Sequence, residues 1–91
     1  MKKIKLTHHP DEKLLKQLGV FDWQIWTKEA SEFPWYYDLE ETCYFLEGHV
    51  VVTLEDDQSV EMGKGDPVTF PAGMSCRWKI ITNVKKHYQF G

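Results

Sequence analysis

Carboxylate, thiol and aromatic side chains lie close together in two short stretches of this sequence, and a reactive or binding site would be built from them. The stretches comprise residues 41–48 and 65–76. A carboxylate can serve as a general base, and a thiolate can serve as a nucleophile or a soft metal ligand. Because successive side chains of a β-strand point to opposite faces, Glu41, Cys43 and Phe45 are expected on one face. The sequence therefore offers a carboxylate and a thiol beside an aromatic ring.

The residues that follow the second stretch have the same period of two. Cys76, Trp78 and Ile80 alternate with the charged residues Arg77 and Lys79. If Cys76 faces the interior, Trp78 and Ile80 face it as well, and the two charged side chains lie on the opposite face. Two strands then contribute to one aromatic interior.

Short strands with glycine and proline turns must position these residues. They are expected near residues 4–6, 23–27, 42–46, 49–54, 60–62, 68–70, 76–81 and 86–90. Regular spacing of this kind predicts an antiparallel all-β domain, either an immunoglobulin-like sandwich, an OB-type barrel or a jelly roll. In the first strand of the barrel, Trp23, Ile25 and Thr27 are expected to share one face. The 91 residues suit a single domain, with residues 1–22 forming an N-terminal strand and helix and residues 23–91 forming the barrel.

One short helix is predicted before the barrel. Residues 10–19 begin with proline and acidic residues and end at Gly19, which is placed to terminate the helix. Leu14, Leu15 and Leu18 would share its apolar face.

Composition excludes several classes of function. The net charge is −3, the pI is about 5.7, and the basic residues form no stripe, so we expect no nucleic-acid binding. No apolar run is long enough to cross a bilayer, and no apolar segment of a signal peptide follows the basic N-terminus, which predicts a cytoplasmic protein without membrane contact. Cys43 and Cys76 are expected to be free thiols, although a bridge between them remains open at this point.

The two stretches resemble the two motifs of the cupin superfamily. In the first motif a Glu is followed, after six residues, by a Gly, as Glu41 is by Gly48. The second motif reads Gly, five residues, Pro, one residue, Gly, two residues, His; Gly65, Pro71 and Gly73 fit it, and Cys76 stands at the His position. The resemblance implies a jelly-roll barrel and a homodimer.

One branch of the superfamily is especially similar, because of residues 33–38. It contains the ureidoglycine aminohydrolase cupin domain, ethanolamine-utilisation cupins and many small stand-alone bacterial proteins of unknown function. The last group resembles this chain most.

The cupin metal ligands, three His and one Glu, are not reproduced. The first two His positions fall on Trp35 and Tyr37, or alternatively on Pro34 and Tyr36. Only Glu41 remains, so we predict no metal cofactor, with at most a weak site formed by Glu41 and Cys76. The histidines present occupy no motif position and are predicted to lie on the surface; they are His8, His9, His49 and His87.

We therefore predict a metal-free aromatic pocket that binds a small amine, amide or sugar-like molecule. Its predicted residues are Trp35, Tyr37, Glu41, Cys43, Phe45, Cys76 and Trp78. An aromatic wall beside a carboxylate particularly suits a cation. The competing interpretation is a filled core, with Glu41 bonded to a Tyr or Trp donor.

Two further functions stay open at the level of sequence. The resemblance implies a hydrolase or isomerase, for which Glu41 would be the general base and Cys76 the nucleophile. Alternatively, the domain is a structural module that dimerises through exposed sheet edges.

Overall fold

Long antiparallel strands carry most of this fold. The computed structural model describes residues 4–6 and 12–90, and within them the strands form one antiparallel sheet that builds a jelly-roll barrel. The strands are β1 (Lys5–Leu6), β2 (Gln24–Lys28), β3 (Ser31–Tyr37), β4 (Glu41–Leu54), β5 (Ser59–Gly63), β6 (Pro67–Phe70) and β7 (Met74–Phe90). Their order is β1-β6-β4-β7-β2, while β3 pairs with β7 and β5 pairs with β4. The predicted jelly roll with one short helix is confirmed.

Two of the strands are much longer than the sequence predicts. Strand β4 continues through Gly48, where a turn was expected, and β7 unites the two strands predicted at 76–81 and 86–90. Gly48 has φ +108°, and the pairing of β4 with β7 shifts register around it. A glycine with positive φ suits a β-bulge as well as a turn, which is why the prediction of a turn there is wrong.

The alternation of burial along β4 and β7 agrees with the predicted faces. Glu41, Cys43 and Phe45 are buried on β4, while Arg77 and Lys79 are exposed on β7. The inner faces of both strands join one hydrophobic cluster, in which Phe45, Phe70 and Trp78 are the largest rings besides Tyr37. This cluster surrounds the inward-facing residues of β4 and β7 that are discussed below.

The N-terminal part departs from the predicted pattern in two places. Helix α1 spans Glu12–Leu18, and Gly19 ends it with φ +72°. Leu15 is buried, but Leu18 is 46% exposed, so the two do not share a buried face. In β2, Trp26 rather than Ile25 packs against the core, because Trp26 lies opposite the buried Lys86. The predictions for Pro10, His8 and His9 lie outside the described residues.

In the part of the chain that the structure describes, no helix is long and apolar enough to span a membrane. The cytoplasmic location stays a prediction.

Candidate functional site

A cavity of about 220 Å³ lies on the inner side of the barrel. Aromatic rings form most of its wall, and Glu41 and Lys86 are its two charged residues. The lining residues are Trp26, Phe33, Trp35, Tyr37, Glu41, Trp78, Lys86, Tyr88 and Phe90. At about 30 Å³ for each water in the liquid, this is space for about seven waters or one small organic molecule.

Four neighbouring strands supply the wall. Strand β3 contributes Phe33, Trp35 and Tyr37, which alternate and therefore share a face. Strand β7 faces β3 and contributes Trp78 opposite Phe33, and the two rings are stacked with centroids 6.2 Å apart. Strand β2 adds Trp26, and the first residue of β4 is Glu41. Pairing with β7 thus brings side chains that are distant in sequence around one space.

A buried ion pair is the polar centre of the cavity. Nζ of Lys86 lies 2.6 Å from Oε2 of Glu41, and both side chains are almost inaccessible to solvent. The other carboxylate oxygen, Oε1, has no hydrogen bond within the described residues. No fully buried side-chain oxygen or nitrogen among them lacks a partner, so Oε1 is open to the cavity. One acceptor of Glu41 therefore remains free for a ligand.

Aromatic rings surround the ammonium group of Lys86. Its nitrogen lies 4.7 Å from the ring centroid of Trp78 and 5.0 Å from that of Trp26. Phe45 and Phe70 lie farther away, at 5.9 and 6.0 Å. The faces of aromatic rings attract cations, most strongly in Trp. The rings and the carboxylate together replace the hydration that the ammonium group loses on burial.

Tyr37 presents a hydroxyl group to the same cavity. The indole Nε1–H of Trp78 donates a hydrogen bond of 3.1 Å to this hydroxyl, and the Tyr37 ring stacks on Phe70 at 4.7 Å. Burial, with a smaller contribution from the charge of Glu41, raises the pKa of Tyr37 far above its usual range. Tyr37 is therefore a neutral phenol whose oxygen accepts from Trp78, while its O–H can donate to a ligand.

The two cysteines and Phe45 are not among the residues that line the cavity. Cys43 and Phe45 are completely buried in the core. Burial raises the pKa of Cys43 to about 12, and burial raises that of Cys76 to about 11. The Cys76 thiol donates a weak hydrogen bond to the carbonyl oxygen of Trp35 at 3.7 Å. Both are free thiols and are protonated near neutral pH, so they are poorly suited to nucleophilic chemistry.

Four of the predicted pocket residues are brought together at the cavity, namely Trp35, Tyr37, Glu41 and Trp78. Cys43, Phe45 and Cys76 are not part of its wall. The sequence reasoning missed Trp26, Phe33, Lys86, Tyr88 and Phe90. The donor to Glu41 is Lys86, which corrects the expectation of a Tyr or Trp donor. Alternation along the predicted strand 86–90 was the available signal, since it places Lys86, Tyr88 and Phe90 on one face.

The residues do not fit the metal site that the cupin resemblance implies. Among the described residues, no three His, Cys, Asp or Glu side chains are grouped so that they could hold a metal ion. His49 lies on the surface, 3.8 Å from Glu61. His87 is buried, with Nδ1 3.0 Å from the carbonyl oxygen of Trp23, so its predicted surface position is wrong. The cation beside Glu41 is an ammonium group of the chain itself.

Comparison with known families gives one match. The model of the EutQ-like cupin domain matches residues 15–88. None of the curated protein sequences matches this chain.

Solved structures extend this result. A DUF861 family protein from Thermotoga maritima is 52% identical over the full length of both chains, with a TM-score of 0.91. A DUF861 protein of unknown function from Pseudomonas syringae is 28% identical over 74% of this chain and 29% of its own, with a TM-score of 0.67. A protein from Salmonella typhimurium described as ethanolamine utilization protein Q shares the fold, at 24% identity over 96% of this chain and 68% of its own, with a TM-score of 0.66.

Proposed function

Since the chain belongs to the EutQ-like cupin domain family, we propose that it uses its barrel as a metal-free receptor for a small polar or nitrogenous molecule. The observation that carries this proposal is the buried Glu41–Lys86 pair, which faces a cavity instead of solid core. A buried ion pair contributes little net stability, because the loss of hydration offsets most of the attraction. Fold stability alone therefore does not account for two charges in this position.

The size of the cavity and its exposed rim support binding of a small ligand. Its volume of about 220 Å³ is below the range of about 300–1,000 Å³ that is typical of ligand pockets. Trp35 and Phe90 are each 47% exposed, so they form a rim that a ligand passes on its way in. Tyr37 and Glu41 lie at the buried end and supply the polar anchors.

The enzyme alternative with Cys76 has less support. Glu41 reaches the cavity, but Cys76 lies outside its wall and keeps its proton near neutral pH. A base and a nucleophile must both reach the substrate, and this pair does not.

A homodimer is a separate proposal. The side chains of Tyr36 and Leu39 are 55% and 57% exposed, and we propose that a partner subunit covers them. Sedimentation that shows only monomer at micromolar concentration would remove this proposal and leave the pocket proposal unaffected.

Titration of small polar fragments, followed by ¹H–¹⁵N spectra, tests the receptor proposal. The indole N–H signal of Trp78 is the reporter, since this group lies in the cavity wall and donates to Tyr37. We expect a saturable shift that is lost in Glu41→Gln and kept in the control Glu40→Gln, because Glu40 is exposed and adjacent in sequence. If a diverse set of neutral, anionic and cationic fragments leaves the signal unmoved in the folded protein, the receptor proposal is wrong.

A further inference from the structure

Lys86 is held by its own protein in the way that a receptor holds an ammonium ligand. A carboxylate oxygen lies 2.6 Å from its nitrogen, and two tryptophan rings lie at 4.7 and 5.0 Å. Carboxylates and tryptophan faces are the groups that recognise organic cations. The cation subsite expected from the sequence therefore exists, but a tethered cation fills it.

This arrangement decides which charges a ligand can carry. A ligand ammonium or a metal ion would find Oε2 of Glu41 engaged and would meet the positive charge of Lys86 in a poorly hydrated space. A ligand carboxylate would in turn meet Glu41. Because the pair is neutral as a whole, a neutral ligand enters without an uncompensated charge.

The groups that remain define the ligand more closely. Oε1 of Glu41 is an acceptor open to the cavity. The hydroxyl of Tyr37 already accepts from Trp78 and can donate its own hydrogen, and Lys86 retains N–H groups beyond the one directed at Glu41. A primary amide matches this set, since its carbonyl accepts from Tyr37 or Lys86 while its N–H donates to Glu41.

We propose that the pocket selects neutral primary amides and that Lys86 is the residue that rejects cations. This inference rests on the proposed receptor function and names its ligand class. An amine, by contrast, offers no acceptor when it is protonated, and an alcohol lacks the fixed planar pair of donor and acceptor.

The test uses three compounds of nearly equal size and different charge, namely isobutyramide, isobutyrate and isobutylammonium. Each is titrated into the wild-type protein at neutral pH, and the indole N–H signal of Trp78 is followed. We expect isobutyramide to bind about tenfold or more tightly than either charged compound, which corresponds to about 1.4 kcal/mol. Equal or tighter binding of isobutylammonium or isobutyrate would overturn the selectivity assigned here.

Lys86→Met should allow a cation to bind, because it removes the ammonium group and keeps a long apolar side chain. We expect this variant to bind isobutylammonium about tenfold more tightly than the wild type does, since Glu41 and the rings then form an empty cation site. Lys79→Met is the matched control; Lys79 lies on the same strand with its side chain exposed, so this variant should keep the wild-type order. An unchanged affinity of folded Lys86→Met for isobutylammonium contradicts the role of Lys86.

The outcomes separate this inference from the receptor proposal. If none of the three compounds and no other fragment binds, the receptor proposal and the proposed amide selectivity are both wrong. If isobutylammonium binds best to the wild type, the receptor proposal stands and only the selectivity is wrong. If Lys86→Met does not fold, the relative affinities of the wild type for the three compounds decide whether the proposed selectivity is correct.

Discussion

Lys86 reaches Glu41 diagonally across two strands, with Nζ 2.6 Å from Oε2. In the register of β4 and β7, Lys86 lies opposite Phe45, and Glu41 lies opposite Phe90. The two backbone positions are thus four residues apart along the strand, or about 13 Å in a flat sheet. A long side chain is needed to bridge this distance, so lysine is well suited to the position.

The first prediction concerns the energetic coupling of this pair. Lys86→Met leaves a buried carboxylate without its partner, so we expect the free energy of unfolding to fall by about 3–5 kcal/mol. Glu41→Gln should also lower the free energy of unfolding, because it leaves the buried ammonium group of Lys86 without its partner. The double variant should lose much less than the sum, because the remaining groups carry no charge. Urea unfolding of all four proteins gives the coupling energy, and simple additivity would show that the pair does not interact.

The fold was predictable because a period of two, interrupted by glycine and proline, leaves few alternatives to an antiparallel barrel. The motif spacing then placed Glu41 and Tyr37 on the correct face. Gly48 was misread as a turn, since a positive φ serves a bulge equally well. Lys86 was missed because its contact with Glu41 depends on the register between two strands, which local alternation does not specify.

A second prediction concerns the hydroxyl of Tyr37. Tyr37→Phe removes the acceptor of the Trp78 indole N–H and the donor proposed for the ligand. We expect a loss of about 1 kcal/mol in stability and a several-fold weaker binding of isobutyramide, as is typical for one hydrogen bond. Tyr36→Phe is the control, because Tyr36 is the next residue and is 55% exposed. Equal effects of the two variants on amide binding would assign Tyr37 no role in recognition.

A third prediction concerns Gly48 and the bulge in β4. A Cβ at this position would lie 2.8 Å from the carbonyl oxygen of Asn83 and 2.8 Å from Cγ2 of Val84. Gly48→Ala is therefore expected to cost about 2–4 kcal/mol, from steric overlap and from its φ of +108°. Gly65→Ala separates the two causes, since it has φ +89° with no atom within 4 Å of the added Cβ. In thermal unfolding, the melting temperature of Gly48→Ala should lie well below that of Gly65→Ala. A reversed order would show that β4 relaxes freely at this point.

A fourth prediction concerns stability at alkaline pH. Burial raises the pKa of Cys43 from 9.0 to about 12, so the folded state keeps a proton that the unfolded chain releases first. The unfolded state then binds fewer protons, and the free energy of unfolding falls as pH rises from about 9 to 12, by about 1 kcal/mol per pH unit for this group. Tyr37, whose pKa is also raised, acts in the same direction above pH 10. Urea titrations between pH 7 and about 10.5 measure the slope.

Cys43→Ala isolates the contribution of the thiol to this slope. The variant should be less stable at neutral pH, because a small cavity forms in the core. Its stability should nevertheless fall less steeply above pH 9 than that of the wild type. Parallel curves for the two proteins would mean that Cys43 titrates normally in the folded state.

The last prediction concerns metal content. A metal ion at Glu41 would meet the positive charge of Lys86, which is paired with this carboxylate. Burial raises the pKa of Cys76 to about 11, so this residue offers no thiolate near neutral pH. We expect elemental analysis of untagged protein, grown with added manganese, iron, nickel and zinc, to find far less than one equivalent of any of them. The double variant Glu41→Gln, Cys76→Ser should give the same trace level. About one equivalent in the wild type that is lost in the double variant would mean that Lys86 yields its place to a metal ion, and the enzyme interpretation would then regain support.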